Sequence, residues 1–141
     1  MKMGLFVNLV FENDGTQIAV PMILGVFELR GRQSHWKIKD AEACGYEIYE
    51  RVHEYSDSEV TISGEEFYTL ITPQIQLIEA WLESYDENSS KPWLIMQIRD
   101  GTCIDVVCDD ESIYEGIKKI YPNATYHPAA KLIGEDMANA F

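Results

Sequence analysis

The side chains that most often carry catalysis are few in this chain and widely separated. His35, His53 and His127 are its three histidines, and none has a metal-binding side chain at a useful spacing. The motifs of serine hydrolases, phosphate-binding loops, zinc proteases and dinucleotide-binding folds are all missing from the sequence. We therefore predict that the protein is not an enzyme and holds neither a metal ion nor a cofactor.

One carboxylate, Asp105, stands among apolar residues in a predicted strand, Thr102 to Cys108. A buried carboxylate requires an ionic partner or a raised pKa, and perturbed carboxylates are frequent in active sites. Pairing with a lysine or arginine, or a place at the rim of a sheet, is the commoner outcome. An enzyme or small-ligand-binding protein with a site around Asp105, Cys103 and His127 is the alternative function.

The three cysteines, Cys44, Cys103 and Cys108, do not indicate a disulfide framework, because they are odd in number and form no CxxC pair. Cys103 and Cys108 fall on opposite faces of a regular strand, so they should not bond to each other. No apolar run approaches the ~20 residues of a membrane-spanning helix, and the N-terminus lacks a signal-peptide pattern. We expect free thiols in a cytoplasmic protein.

The clearest signal is an acidic segment, residues 52–90, which contains no lysine or arginine. The formal net charge of −13 argues against nucleic acid and anionic membranes as partners, because both are bound through basic residues. Acids so close together in the sequence repel one another in the folded state. An unfavourable arrangement without visible compensation often marks a functional site. The nine acids of the segment are Glu54, Asp57, Glu59, Glu65, Glu66, Glu79, Glu83, Asp86 and Glu87.

Aromatic residues are interleaved with these acids. Tyrosine and tryptophan are frequent interface anchors, while carboxylates at the rim of an interface attract a basic partner. The predicted partner-binding residues are therefore the nine acids together with Tyr55, Tyr68, Trp81 and Tyr85. A solvated acidic face with its aromatics turned into the core is the competing interpretation.

The function that this pattern favours is inhibition of a basic protein by a small acidic cytoplasmic protein. A nuclease has a basic cleft for phosphates, and an acidic partner with aromatic anchors can occupy it. We therefore predict a bacterial immunity or antitoxin protein that neutralises a nuclease-type toxin, or a phage-encoded inhibitor that mimics nucleic acid. An acidic structural adaptor, whose charge serves solubility, is a further alternative.

The N-terminal third of the sequence predicts an antiparallel meander. Strands are expected over Leu5 to Phe11, Thr16 to Val20 and Met22 to Leu29, with a turn at Asp14-Gly15 between the first two. Pro21 cannot donate to a sheet, so it should end the second strand or place it at an edge.

Four helices are predicted from apolar spacing and caps. The first covers Asp40 to Tyr55, with a strand over 46–49 as the alternative, and a short strand at Val60 to Ile62 follows. Ser63 should cap the second helix and Pro73 should open the third, whose apolar residues continue to Tyr85. The fourth is capped by Asp110 or Ser112 and ends at Tyr121, before Pro122.

A central hairpin is predicted from Trp93 to Cys108, with a two-residue Asp100-Gly101 loop that places Asp105 opposite Met96. Together these elements predict an α+β fold: one domain, residues 1–128, in which a mostly antiparallel sheet packs against about three helices. Residues 129–141 are expected to form a loose tail or a short docking helix.

Overall fold

The structure of the 141-residue chain is a computed structural model that describes residues 5–10, 20–45, 48–72, 75–101 and 103–128. The described strands are β1 Leu5–Val10, β2 His35–Gly45, β3 Thr61–Ser63, β4 Ile75–Tyr85, β5 Leu94–Arg99, β6 Cys103–Cys108 and β7 Thr125–Pro128. The described helices are α1 Val20–Val26, α2 Glu28–Gln33, α3 Ile48–Ser58, α4 Gly64–Leu70 and α5 Glu111–Ile120. These elements confirm the predicted α+β class.

One sheet contains all seven described strands in the order β3-β2-β4-β5-β6-β1-β7, and every neighbouring pair is antiparallel. The main core lies between one face of this sheet and the helices. Trp36 of β2 stacks on Phe67 of α4 with ring centroids 4.0 Å apart, and Phe27 meets Trp93 edge-on at 5.4 Å. Burial of these large rings fixes α4 and the segment before α2 against the sheet.

The segment Ile75–Tyr85 is the strand β4, and the helix predicted there is wrong. Its apolar residues satisfy a helical spacing and an extended one equally well, because both faces of a central strand are covered. Leu82 pairs with Ile38 on one side and with Met96 on the other, and all three side chains are buried. Pairing with two neighbours therefore decides the conformation that local spacing left open.

The third strand of the predicted N-terminal meander is also wrong. β1 is present, but it pairs with β6 and β7, and the predicted third strand is replaced by α1 and α2. Pro21 lies in the first turn of α1, where its missing N–H is tolerated. Val20, Ile23, Leu24 and Phe27 are buried at helical spacing. The predicted turn at residues 13–15 and most of the second strand lie outside the described residues.

The helix predicted over Asp40 to Tyr55 is half correct. β2 continues to Gly45, and α3 begins at Ile48, so the alternative strand over 46–49 is wrong at its last two residues; residues 46 and 47 lie outside the described part. α3 lies along the edge of β2 beyond the short strand β3. There the backbone N–H of Ala41 donates to Ser56 Oγ at 3.0 Å, which satisfies an edge group that no strand reaches in the described pairings.

The predicted caps Ser63 and Asp110 are confirmed, together with the second and fourth predicted helices, which are α4 and α5. Ser63 Oγ accepts a hydrogen bond from the backbone N–H of Glu66 at the start of α4. Asp110 caps α5 by accepting from Ser112, and α5 ends before Pro122. The predicted tail, residues 129–141, lies outside the described residues.

The central hairpin of β5 and β6 is confirmed, but its register differs from the prediction by one residue. Arg99 pairs with Cys103, so three residues connect the strands, and Asp105 lies opposite Gln97 instead of Met96. Asp100 and Gly101 both adopt positive φ angles, 55° and 69°, which suits a tight turn. No helix within the described ranges is long and apolar enough to cross a membrane.

Candidate partner-binding surface

Glu83, one of the predicted interface acids, is bound inside the molecule. It lies on β4 and is 5% exposed. Its Oε2 accepts hydrogen bonds from Lys39 Nζ at 3.2 Å and Trp81 Nε1 at 2.8 Å, and its Oε1 accepts from Tyr85 OH at 2.6 Å. Three donors on two strands therefore converge on one carboxylate.

These contacts determine the ionisation of Glu83. Burial alone would raise the pKa of its carboxyl group, because the charged form loses water. Hydrogen bonds from Tyr85, Trp81 and Lys39, together with the charge of Lys39, outweigh burial and lower the pKa below its ordinary value. Glu83 is thus a stable anion that holds β2 and β4 together, with no charge left for a partner.

Asp86, at the end of β4, is held by Arg30 of α2. Arg30 Nη2 contacts Asp86 Oδ2 at 2.7 Å, and Arg30 Nη1 contacts Asp109 Oδ1 at 2.7 Å. The guanidinium group also lies 4.1 Å from the ring centroid of Trp93. Two carboxylates and a ring fix this arginine, which ties α2 to the ends of two strands.

The four predicted aromatic anchors also make internal contacts. Trp81 and Tyr85 donate to Glu83, Tyr55 donates to Glu66 Oε1 at 2.7 Å, and Tyr68 donates to the backbone oxygen of Leu24 at 2.8 Å. All four side chains are half-buried. Their polar ends serve the fold, which leaves less aromatic surface for a partner than the sequence suggested.

The alternative site around Asp105 is built as an internal ion pair. Asp105 is 2% exposed, and its Oδ2 lies 2.5 Å from Arg99 Nη2. This carboxylate is therefore paired with an arginine, which is the commoner of the expected outcomes. The same Arg99 nitrogen lies 3.3 Å from Cys103 Sγ, and burial raises the pKa of that thiol. A raised pKa lowers the thiolate fraction and with it nucleophilicity. The side chain of His127 lies outside the described part; its backbone pairs with Phe6.

Cys44, Cys103 and Cys108 form no disulfide bond with one another, as predicted. Cys44 is exposed, whereas Cys108 is buried, and burial raises the pKa of the Cys108 thiol to about 12. Within the described residues, no three histidine, cysteine, aspartate or glutamate side chains are arranged to hold a metal ion.

One group of solvent-exposed acids lies on α3, directly after α3 and on α4. Glu50, Glu54 and Asp57 are spaced by four and three residues along α3, so they form one exposed stripe. None of the three makes an ion pair with the described residues. The α3–α4 acidic surface, as we call it, consists of Glu50, Glu54, Asp57, Glu59, Glu65 and Glu66.

Contacts within the α3–α4 acidic surface join its two helices. Tyr55 of α3 donates to Glu66 of α4, and Glu65 contacts Arg32 of α2 at 3.1 Å while its side chain remains 71% exposed. Glu50 lies outside the predicted acidic segment, because Arg51 separates it from residues 52–90. Its helical spacing to Glu54 and Asp57 is the signal that identifies it.

The two other predicted interface acids lie apart from this surface. Glu79, on β4, accepts from the backbone N–H of Asp100 at 3.1 Å, and Glu87 is exposed after β4. The nine predicted acids therefore do not form one surface. Comparison with family models, curated proteins and solved structures found no match to this chain.

Proposed function

We propose that this protein binds a basic partner protein through its α3–α4 acidic surface and inhibits it, as an immunity protein or antitoxin inhibits a nuclease-type toxin. The observation that supports this proposal is the exposed stripe Glu50, Glu54 and Asp57, whose charges no described cation neutralises. Three other acids are paired internally: Glu83 with Lys39, Asp86 with Arg30 and Asp105 with Arg99.

The negative charges of the stripe favour a partner with a strongly positive surface. Three like charges on one side of a short helix repel one another, and such repulsion destabilises the folded state. A positive surface relieves it on binding, and the attraction speeds the encounter of the two proteins. A nuclease presents such a positive surface where it binds phosphates. A cytoplasmic location, which this function requires, is part of the proposal.

Affinity capture from the source cell with matched variants tests this proposal. The stripe variant carries Glu50→Gln, Glu54→Gln and Asp57→Asn. The control variant carries Glu42→Gln, Glu87→Gln and Glu115→Gln, three exposed acids outside the α3–α4 acidic surface, so both lose the same charge. Parent and control should retain a basic protein at low salt that the stripe variant releases, because attraction between surfaces is screened over about 8–10 Å in salt.

An activity assay then tests inhibition. The captured protein should cleave nucleic acid, and the parent protein should suppress cleavage at equimolar ratio whereas the stripe variant should not. Capture by all three baits alike would reject the α3–α4 acidic surface as the interface. A captured protein without an activity that the parent inhibits would favour the structural adaptor instead.

A further inference from the structure

An open groove of about 370 Å³ lies between the α1–α2 junction and the start of α5. We call it the α1–α5 groove; its lining includes Gly25, Val26, Phe27, Leu29, Asp110 and Ile113. Its volume is at the lower end of the range for small-ligand pockets.

Large apolar side chains are exposed beside this groove. Leu29 is 76% exposed and Met22 is 53% exposed, and they are two of four large apolar residues so exposed in the described ranges. Met22 precedes Gly25 and Val26 by three and four positions, so it lies on their side of α1. Apolar surface concentrated in this way is typical of a site for another protein.

Gly25 lies within α1 and is part of the groove lining. Glycine destabilises a helix relative to alanine, and a fold retains it where a positive φ or a close approach requires it. Neither applies here: a Cβ atom built on Gly25 would meet no other heavy atom within 4 Å, and its φ lies outside the positive range. Because Gly25 is exposed and lines the groove, a larger side chain at this position would reduce the open space of the groove.

The charges around the groove are mainly acidic. Asp110 is part of its lining, and the pKa of this carboxyl is lowered by hydrogen bonds from Ser112. Arg30 is the lining cation, but Asp86 and Asp109 neutralise it. Glu28, also in the lining, is joined to Glu65 of the α3–α4 acidic surface through Arg32, which contacts both carboxylates.

We propose that the α1–α5 groove receives an apolar side chain of the basic partner protein, flanked in that partner by lysine or arginine. This inference rests on the proposed function and names the apolar anchor point that the half-buried aromatic residues do not provide. An interface commonly combines an apolar centre with a charged rim. Here the groove beside Leu29 would be the apolar centre, and the carboxylates of Glu28 and Asp110 would form the charged rim.

Two short blocked peptides test the groove without the partner. One is Lys-Lys-Leu-Lys-Lys and the other has alanine in place of leucine; binding is followed by the shifts of backbone amide resonances. The leucine peptide should shift the amides of Gly25 and Ile113 and should bind roughly tenfold more tightly than the alanine peptide, because it buries additional apolar surface.

Filling the groove should remove this preference. The Cβ atom of Gly25→Leu would meet no other heavy atom within 4 Å, and leucine favours a helix over glycine, so the variant should melt no lower than the parent. It should bind both peptides equally. Gln33→Leu is the matched control, because it adds an exposed leucine to α2 outside the groove lining; it should keep the preference for the leucine peptide.

Other outcomes separate the two proposals. Persistence of the leucine preference in Gly25→Leu overturns the groove. Equal binding of both peptides to the parent, with salt-sensitive shifts at Glu54 and Asp57, also overturns the groove but leaves the proposed function standing. Absence of binding by either peptide at low salt overturns the groove and contradicts an acidic surface that attracts basic segments.

Discussion

β4 and α3 both carry several acids, yet the two elements use them in opposite ways. On β4, Glu83 is buried and receives three hydrogen bonds, and Asp86, directly after this strand, is fixed by Arg30. On α3, Glu50 and Glu54 face solvent without a cationic partner in the described residues. The acids of β4 should therefore govern folding, and those of α3 should govern association.

The largest expected effect on stability is that of Glu83→Ala. Removing the carboxylate leaves Lys39, Trp81 and Tyr85 without their shared acceptor, which should lower the free energy of unfolding by about 3–5 kcal/mol. Glu87→Ala, at an exposed position, should change it by no more than about 0.5 kcal/mol. Urea denaturation of both variants and the parent measures the difference. Equal stability of the two variants would contradict the claim that the paired acid Glu83 supports folding more than the exposed acid Glu87 does.

Asp105→Asn should have the next largest effect. Its side chain loses the charge that holds Arg99, so the free energy of unfolding should fall by about 1.5–3 kcal/mol, the range for hydrogen bonds to charged groups. Thermal denaturation checks this. A catalytic activity of the parent that Asp105→Asn abolishes without a loss of stability would instead support the alternative enzyme site.

The contribution of Glu83 should depend on pH in a definite direction. Its pKa in the folded protein is lowered from the ordinary value of 4.5, so the folded state favours the anion. The stabilisation is therefore complete above about pH 4.5 and is lost as the pH falls through the lower folded-state pKa. Unfolding free energies of the parent and Glu83→Gln should converge below that window. A difference that grows on acidification would contradict the assigned shift.

The stripe variant Glu50→Gln, Glu54→Gln, Asp57→Asn should have the smallest effect on stability. Its side chains are exposed and unpaired, so the free energy of unfolding should change by about 0.5 kcal/mol or less, towards greater stability if anything, because repulsion is relieved. Thermal denaturation at low and high salt measures this. A clear loss of stability would show that α3 depends on these carboxylates for its structure.

The sequence predicted the elements whose signals are local. Ser63 and Asp110 were identified as caps, and the apolar strands around Asp100-Gly101 were identified as a hairpin. It failed where distant pairing decides the outcome. Residues 75–85 fit a helix by spacing alone, and only the neighbouring strands β2 and β5 make them a strand.

The candidate surface was predictable in part for the same reason. The count of charges identified the acidic segment, but it could not show which acids are neutralised by distant residues. Lys39 pairs with Glu83 across 44 residues of sequence, and Arg30 pairs with Asp86 across 56. The helical spacing of Glu54 and Asp57 is a local signal that the sequence alone shows. The groove beside Gly25 was not, since it forms between α1 and a helix near the other end of the chain.

The association rate constant of the captured partner tests the central claim most directly. It should be measured at low and high salt for the parent, the stripe variant and the control variant Glu42→Gln, Glu87→Gln, Glu115→Gln. The account predicts slower association for the stripe variant alone, with a difference that shrinks as salt rises. Equal rates for the two variants at low salt would contradict it, because the position of the acids on α3 would then have no effect beyond net charge.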